Sequence, residues 1–217
     1  MTESPYSSDK MIWWAARDGW PPKGPRQVHF IICDLCNQDC HFCAYRLSGY
    51  SSNELFTKGS DLSAYGHDNP KRWIPTVRAL ALLDEFKAAG VEGVQFTGGG
   101  EPTVHPDHEV SFRKAVERGF KCARVSNGLR WTMSLMELAA GLSWVRVSVD
   151  AATPGTYAAI RNTKPENFHK VLKHLAYLSI LIDNGKTGCV LGMGFVVTDR
   201  NWQEVYDGVR IARQHGA

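Results

Sequence analysis

The sequence predicts an α/β fold in which parallel strands alternate with helical crossovers. From residue 76 onward, short apolar segments of strand length alternate with longer segments of helical period, and glycines separate many of them. Strict alternation of this kind is typical of parallel sheets with covering helices. With an apolar strand at residues 28–32, five strand–helix units can be counted. The sequence stops after a helix, so we expect one further strand of the sheet to be missing from it.

Composition excludes several classes of protein. The 217 residues are 43% hydrophobic and 22% charged, which is typical of a globular chain with one sizeable core. A net charge of +3 is too small to indicate nucleic-acid or membrane binding. No segment has the apolar length of a membrane span, and the N-terminus lacks a signal-peptide core. We therefore expect a cytoplasmic protein with no membrane segment.

The chain divides into an extension and one domain. Residues 1–27 hold a short apolar patch and a Pro/Gly-rich stretch, which predict an N-terminal extension. Residues 28–217 carry the regular elements. Within them, residues 46–75 are polar and have no sustained period. A loop of that length in a compact domain is typically functional, and we interpret it as a lid inserted after a cysteine-rich loop.

Helix ends are marked by capping residues and glycines. Helices are predicted from Thr76 to Gly90, from about 106 to 118, from Thr132 to Gly141, after Thr153-Pro154, from 165 to about 183, and after Asn201, where Asn201 and Glu204 form a candidate capping box.

Strands are predicted at residues 28–32, 91–97, 120–126, 144–150 and 188–198. In the fourth strand, valines 145, 147 and 149 alternate with Arg146, Ser148 and Asp150. A barrel-like sheet turns its bulky residues toward the helices and the other set toward the lumen. Arg146, Ser148 and Asp150, with Gly192 and Gly194 of the fifth strand, are therefore expected to face inward. A polar lumen lined by glycine indicates a ligand site.

Three closely spaced thiols follow the first strand, at Cys36, Cys40 and Cys43. Short-spaced cysteines of this kind hold iron–sulfur clusters, and three thiolates would leave one iron of a cubane open to another ligand. A zinc site is the alternative, with Cys33 or His41 as a fourth ligand. A disulfide is the weaker alternative in a reducing compartment. Cys33 fits no position of the cluster pattern, and Cys122 and Cys189 lie in predicted strands, so we expect these three to be packed thiols.

Two motifs together resemble the radical S-adenosylmethionine (SAM) superfamily. The cysteine loop, with Phe42 before its last thiol, resembles the CxxxCxΦC signature of that superfamily. The run Gly98-Gly99-Gly100-Glu101 ends the second strand and resembles the GGE motif of the superfamily. Either pattern alone is weak, but both occur here in the expected order and context.

The resemblance covers roughly residues 28–200 and implies a partial (β/α)₆ barrel with its site at the C-terminal mouth of the strands. It implies that Gly99, Gly100 and Glu101 hold the amino group of SAM and that Phe42, with Tyr45, packs near the adenine. Arg161 resembles a residue that pairs with the SAM carboxylate, although a solvated helix charge is an equal alternative. The remaining implied SAM contacts, to the ribose and the carboxylate, are Ser126, Asn127, Ser148 and Asp150.

The implied chemistry is reductive cleavage of SAM by a [4Fe–4S] cluster, giving a 5′-deoxyadenosyl radical that abstracts hydrogen from a substrate. A flavodoxin- or ferredoxin-like protein would supply the electron. The sequence does not identify the substrate. Among the substrate classes of the superfamily, a peptide or protein is expected slightly ahead of a nucleotide or a small metabolite. Two alternatives stay open. One is a zinc-stabilised nucleic-acid-binding module with Lys71, Arg72 and Trp73 as contacts, and the other is a shortened, inactive relative of the superfamily.

Overall fold

The computed structural model describes residues 24–46 and 72–217. Within these residues, five strands form one parallel sheet, and their order in the sheet is their order in the chain. Parallel neighbours require a crossover, which is why helices separate them. The strands are β1 (Gln27–Ile31), β2 (Gly93–Thr97), β3 (Lys121–Ser126), β4 (Trp144–Ser148) and β5 (Val190–Gly194).

The described residues contain six α-helices, which connect the strands and follow the last of them. Threonine side chains cap two of these helices as the sequence predicts: Thr132 accepts from the N–H of Leu135 (3.1 Å), and Thr153 accepts from the N–H of Thr156 (3.2 Å). The predicted alternation is confirmed, and the fold is an open, partial (β/α) barrel. The helices are α1 (Thr76–Ala88), α2 (His108–Glu117), α3 (Met133–Ala140), α4 (Pro154–Arg161), α5 (Glu166–Gly185) and α6 (Val205–Gln214).

The hydrophobic core lies between the outer face of the sheet and the helices. Val145 and Val147 of β4 are almost fully buried there, as is Val149 just beyond the strand. Cys33, Cys122 and Cys189 belong to the same core, so the expectation that they are packed thiols is confirmed. Burial raises the pKa of Cys122 to about 12 and that of Cys189 to about 11, which keeps both thiols protonated.

The opposite face of the sheet is the inner face, and it follows the predicted alternation up to the end of β4. Arg146 is exposed there, and Ser148, Gly192 and Gly194 are partly exposed. Asp150 departs from the pattern, because β4 ends at Ser148 and Asp150 has a left-handed backbone with φ of 61°. Its carboxylate is buried, so the expectation that Asp150 faces an open lumen is wrong.

The predicted capping box before the last helix is also wrong. A short 3₁₀ turn, Trp202–Glu204, precedes α6. The side chains of Asn201 and Glu204 cap neither this turn nor α6. The Asn201 amide instead donates to the carbonyls of Asp150 and Val196, both at 2.8 Å. Glu204 accepts from the N–H of Ala152 at 2.6 Å, at the chain segment that enters α4. Both residues therefore fasten the end of β5 to the end of β4.

Residues 72–75, predicted as the end of the lid, pair with the chain that leaves β1. Cys33 and Trp73 form an antiparallel bridge, and Ile74 donates to the carbonyl of Ile32 (2.9 Å). The remainder of the predicted lid, residues 47–71, and residues 1–23 of the predicted extension lie outside the described residues. Among the described helices, none has the length and apolar character needed to cross a bilayer.

Candidate active site

The cysteine loop lies at the C-terminal end of the sheet and is held on one side by the segment that follows β2. The N–H of Gly100 donates to the carbonyl of Cys33 at 3.2 Å, and the N–H of Glu101 donates to that of Leu35 at 2.9 Å. Backbone hydrogen bonds therefore join the glycine–acid motif to the residues that lead into the cysteine motif.

On its other side, the loop is held by the C-terminal end of α4. The N–H of Asp39 donates to the carbonyl of Arg161 (3.2 Å), and the N–H of His41 donates to that of Ile160 (3.1 Å). Carbonyls in the last turn of a helix have no partner within the helix. The loop satisfies these carbonyls, and the helix end in turn fixes the backbone between Cys36 and Cys43.

Gly99 and Gly100 are required by this close approach of two protein segments, and Gly98 is required by the turn of its own segment. A Cβ at Gly100 would lie 2.1 Å from the carbonyl oxygen of Leu35, and one at Gly99 would lie 2.3 Å from Oδ1 of Asp34. A Cβ at Gly98 would meet the carbonyl of Gly100 at 2.1 Å. The glycine run predicts close approach of a ligand to the backbone, whereas in the structure the chain leading into the cysteine loop makes that approach.

Glu101 ties the ends of β2 and β3 together from a buried position. Its Oε1 accepts from the N–H and the hydroxyl of Thr103 (3.1 and 2.9 Å) and from the hydroxyl of Ser126 (2.8 Å). Its Oε2 accepts from the N–H of Asn127 at 2.7 Å. These four hydrogen bonds hold the buried carboxylate in one orientation.

Ser126 has no hydrogen-bonding capacity left in its side chain. Its hydroxyl donates to Glu101 and accepts from the N–H of Gly128 (3.0 Å) and from Nε1 of Trp131 (2.8 Å). A serine hydroxyl has one donor and two acceptor lone pairs, and all three are used. The predicted cofactor contact from Ser126 can therefore come only from its backbone.

Asn127 links β3 to the cysteine loop. Its amide nitrogen donates to Oδ1 of Asn37 at 2.7 Å and lies 4.0 Å from Sγ of Cys36, while its carbonyl oxygen accepts from the N–H of Leu129 at 3.0 Å. Asn127 therefore positions the first of the three thiols relative to the end of β3.

Arg161 is buried at the end of α4, so the alternative that it is a solvated helix charge is wrong. Its Nη2 forms a short salt bridge with Oδ2 of Asp150, whose Oδ1 accepts from the N–H of Val196 (2.7 Å). Burial alone would lower the pKa of Arg161, but the negative charges of Asp150 and Cys40 raise it, so the guanidinium remains charged.

The same guanidinium contacts the second thiol. Nη1 of Arg161 lies 3.3 Å from Sγ of Cys40 and 3.4 Å from Oε1 of Gln38. Burial raises the pKa of Cys40, and the guanidinium opposes that rise because it favours the thiolate. Gln38 is itself oriented by a 2.8 Å hydrogen bond from its amide to the hydroxyl of Tyr157. The sequence indicates no role for Gln38, since its position between the cysteines is variable in the signature.

These elements enclose a cavity of about 200 Å³. The residues that line it come from the cysteine loop, from the ends of β2, β3 and β4, and from α4. The lining includes every predicted site residue except Asp150, which lies behind Arg161, and it adds residues with no sequence signal, such as Gln38 and Val125. The predicted residues in the lining are Cys36, Cys40, Phe42, Cys43, Gly99, Gly100, Glu101, Ser126, Asn127, Ser148 and Arg161.

Arg124 of β3 is a buried cation that sequence reasoning missed. Its guanidinium lies 5.0 Å from the ring centroid of Phe112, and its Nε and Nη2 have no hydrogen-bond partner within the described part of the chain. Burial lowers the pKa of Arg124 to about 10, while attraction from Glu101 and Glu109 opposes this. The carboxylate of Glu101 therefore feels a positive charge from the core side of the sheet.

The cysteine loop supplies three thiols to the cavity, which is the number expected for a cubane cluster with one open iron. Among residues 24–46 and 72–217, no three His, Cys, Asp or Glu side chains are arranged to hold one metal ion. A structural zinc site needs four ligands around one ion, whereas the thiolates of a cubane bind separate iron atoms.

Two residues of the nucleic-acid alternative are used in packing, because Trp73 contacts His105 and Nη2 of Arg72 donates to the carbonyl of Asp34 (3.1 Å).

Two sequence relatives match most of the chain. An S-adenosylmethionine-dependent nucleotide dehydratase from Selenomonas ruminantium is 32% identical over 160 residues, which are 70% of this chain and 50% of the relative. A GTP 3′,8-cyclase from Synechococcus elongatus is 30% identical over 157 residues, which are 69% of this chain and 41% of the relative. The chain thus spans half or less of the length of these two relatives.

The fold resembles that of Streptococcus suis SuiB, solved with the precursor peptide SuiA. The TM-score is 0.66 at 16% identity, and the match covers 95% of this chain and 40% of SuiB. The S-adenosylmethionine-bound form of SuiB matches with a TM-score of 0.65 at 15% identity, over 95% of this chain and 42% of SuiB. Finally, the sequence model of the radical SAM superfamily matches residues 30–209. The chain belongs to the radical SAM superfamily of enzymes, whose cofactors are S-adenosylmethionine and a [4Fe–4S] cluster.

Proposed function

We propose that this chain is the catalytic core of an enzyme that cleaves SAM reductively and abstracts hydrogen from a substrate. The observation that carries the proposal is that the three cysteine thiols, the Gly99–Gly100–Glu101 segment and Arg161 line one cavity at the C-terminal end of the sheet. Bound together, the cluster and SAM supply one-electron cleavage of a sulfonium C–S bond and a 5′-deoxyadenosyl radical.

The three cysteines would hold the cluster, on a loop whose backbone is anchored on both sides. Hydrogen bonds to the segment after β2 and to the end of α4 already fix its course. Preorganisation of this kind lowers the entropic cost of binding. Arg161, which donates toward Cys40, would favour the ionised form of that thiol.

The segment after β2 is suited to an ammonium group. The backbone N–H groups of Gly100 and Glu101 donate to the cysteine loop, so this segment offers acceptors: carbonyl oxygens and the Glu101 carboxylate. An ammonium is a donor only, with three N–H groups. This complementarity supports the assignment of Gly99, Gly100 and Glu101 to the amino group of SAM. The roles proposed for Phe42, Ser148 and Asn127 rest on their place in the cavity lining.

The substrate is proposed to be a nucleotide, which reverses the order expected from the sequence motifs. Both sequence relatives at 30–32% identity are named for nucleotide chemistry. SuiB is named with a peptide, but at 16% identity its likeness supports the fold alone. The electron would come from a flavodoxin- or ferredoxin-like protein.

Anaerobic reconstitution tests this proposal. The wild-type protein is expected to bind about four iron atoms per chain, to turn brown, and to release 5′-deoxyadenosine from SAM in the presence of a reductant. Cys36→Ala, Cys40→Ala and Cys43→Ala should each lose iron and 5′-deoxyadenosine formation. Cys33→Ala is the matched control, since Cys33 is a core thiol, and it should retain both.

Two results would overturn the proposal. One is a colourless protein that binds about one zinc per chain after anaerobic loading. The other is a protein with a verified cluster that forms no 5′-deoxyadenosine from SAM under reducing conditions.

A further inference from the structure

Arg146 lies on the inner face of the sheet, directly beside the candidate active site. It is level with Val125 of β3 in the strand register, and Ser148 follows it two residues later on the same face. Val125 and Ser148 both line the active-site cavity, and Arg146 does not. A molecule that lies next to the cavity on this face would therefore contact Arg146.

The neighbouring strand leaves space around this side chain. Gly192 is level with Arg146 on β5, and a Cβ built there would meet only one atom within 4 Å, at 3.9 Å. A Cβ at Gly194 would lie 3.5 Å from Cδ and 3.6 Å from Cγ of Arg146. The stem of Arg146 therefore extends over Gly194, toward the C-terminal end of the sheet where the cavity lies.

The charge of Arg146 is not neutralised within the described residues. Its side chain is exposed, and no described residue forms a hydrogen bond or an ion pair with it. The carboxylate of Asp150 is close enough to feel its charge, but Arg161 and the N–H of Val196 occupy the two oxygens of that carboxylate. None of the inward-facing residues of β1 to β5 is acidic, and His29 and Lys121 add basic groups to the same face.

An unpaired guanidinium on a concave face is suited to an anionic ligand. Arginine presents its donors as a rigid fork that matches the oxygens of a phosphate or a carboxylate. Opposing glycines provide the room that a phosphate with its hydration shell needs.

We infer that Arg146 binds a phosphate group of a nucleotide substrate beside the SAM site. This inference rests on the proposed function, because it assigns the substrate of that same site to the nucleoside phosphates. In this arrangement Arg146 would contact the phosphate beside Val125 and Ser148, which line the cavity.

Direct binding tests the inference without relying on turnover. Equilibrium dialysis of the reconstituted protein with SAM would use the four common ribonucleoside triphosphates and the corresponding nucleosides as probes. At least one triphosphate should bind at least 10-fold more tightly than its nucleoside. Arg146→Gln should weaken that triphosphate about 10- to 100-fold, as expected for the loss of a charged hydrogen-bonding pair, and leave nucleoside binding unchanged.

Two further variants separate a specific contact from net charge. Arg210→Gln removes an equal charge from the exposed surface of α6 and should leave triphosphate binding unchanged. Gly194→Val keeps the charge of Arg146 but displaces its stem, and it should weaken triphosphate binding. Iron content and absorption spectra of all variants, compared with the wild type, verify that the fold and the cluster are intact.

The inference is overturned if no triphosphate binds the wild-type protein, if Arg146→Gln binds it as tightly as the wild type does, or if Arg210→Gln weakens it equally. A peptide whose carboxylate competes for Arg146 while all triphosphates fail would also overturn it. The proposed function fails by a different observation, which is the absence of a cluster or of 5′-deoxyadenosine in the same preparation.

Discussion

At the scale of single residues, the pair Arg161–Asp150 has the largest consequence for the site. Both side chains are buried. The guanidinium of Arg161 donates to Asp150, to Gln38 and to Sγ of Cys40. The resemblance to the superfamily implies that both residues contact SAM. In the structure, Asp150 orients Arg161, and Arg161 alone reaches the cavity.

Truncation of Arg161 should destabilise the cluster-free protein. Arg161→Ala leaves the Asp150 carboxylate buried without its partner, and we expect the free energy of unfolding to fall by about 3–5 kcal/mol. Arg210→Ala is the control, since its ion pair with Asp207 is exposed and should contribute about 0.5 kcal/mol. Urea denaturation of both variants measures the difference. Equal losses would show that Arg161 is not held as a buried ion pair.

At the scale of elements, two helical glycines have opposite surroundings. A Cβ at Gly155 of α4 meets nothing within 4 Å, whereas a Cβ at Gly208 of α6 would lie 2.8 Å from the ring of Phe195. The absence of a side chain at Gly208 therefore allows α6 to pack closely against the chain that leaves β5. At Gly155 no neighbouring segment requires glycine.

Alanine at these two positions should change stability in opposite directions. Gly155→Ala is expected to raise the free energy of unfolding by about 0.5–1 kcal/mol, because glycine loses more backbone entropy on folding. At Gly208, displacement of the Phe195 ring costs about 1–3 kcal/mol, which exceeds that gain, so Gly208→Ala should destabilise. Thermal and urea unfolding measure both. A stabilising Gly208→Ala would show that α6 can move away from Phe195 freely.

At the scale of the whole molecule, the site exists only where three parts of the chain meet. The cysteine loop, the segment after β2 and the end of α4 hold one another through backbone hydrogen bonds. The position of the thiols therefore depends on the segment after β2 and on the end of α4, neither of which contributes a cysteine.

Gly100→Ala tests this dependence with all three cysteines intact. The new Cβ would fall 2.1 Å from the carbonyl of Leu35, and backbone cannot move aside as a side chain can. We expect a loss of about 3 kcal/mol or more in unfolding free energy and a fall in the iron bound on reconstitution. Gly141→Ala is the control, because its nearest neighbour would lie at 3.7 Å, and it should retain its iron. Full iron loading of Gly100→Ala would contradict the argument.

The sequence alone determined the order of elements and the locations of the cysteine loop and the glycine–acid segment. These are local properties: hydrophobic period, capping residues and motif spacing are all read within a few neighbouring residues. Thr132 and Thr153 cap their helices as predicted, and β4 turns its valines to the core. Local reasoning failed where the local pattern ended, at Asp150, whose positive φ breaks the strand alternation.

Only the tertiary structure decided which polar groups remain available to a ligand in the cavity and which are hydrogen-bonded to each other. Arg161 meets Gln38 across 123 residues of sequence, and Ser126 meets Glu101 across 25. Hydrogen-bonding capacity is finite, so a hydroxyl such as that of Ser126, whose donor and both lone pairs are used within the protein, is no longer available to a ligand. The same physical reason distinguishes Arg146, whose fork has no partner among the described residues, from Arg161, whose donors are already bound.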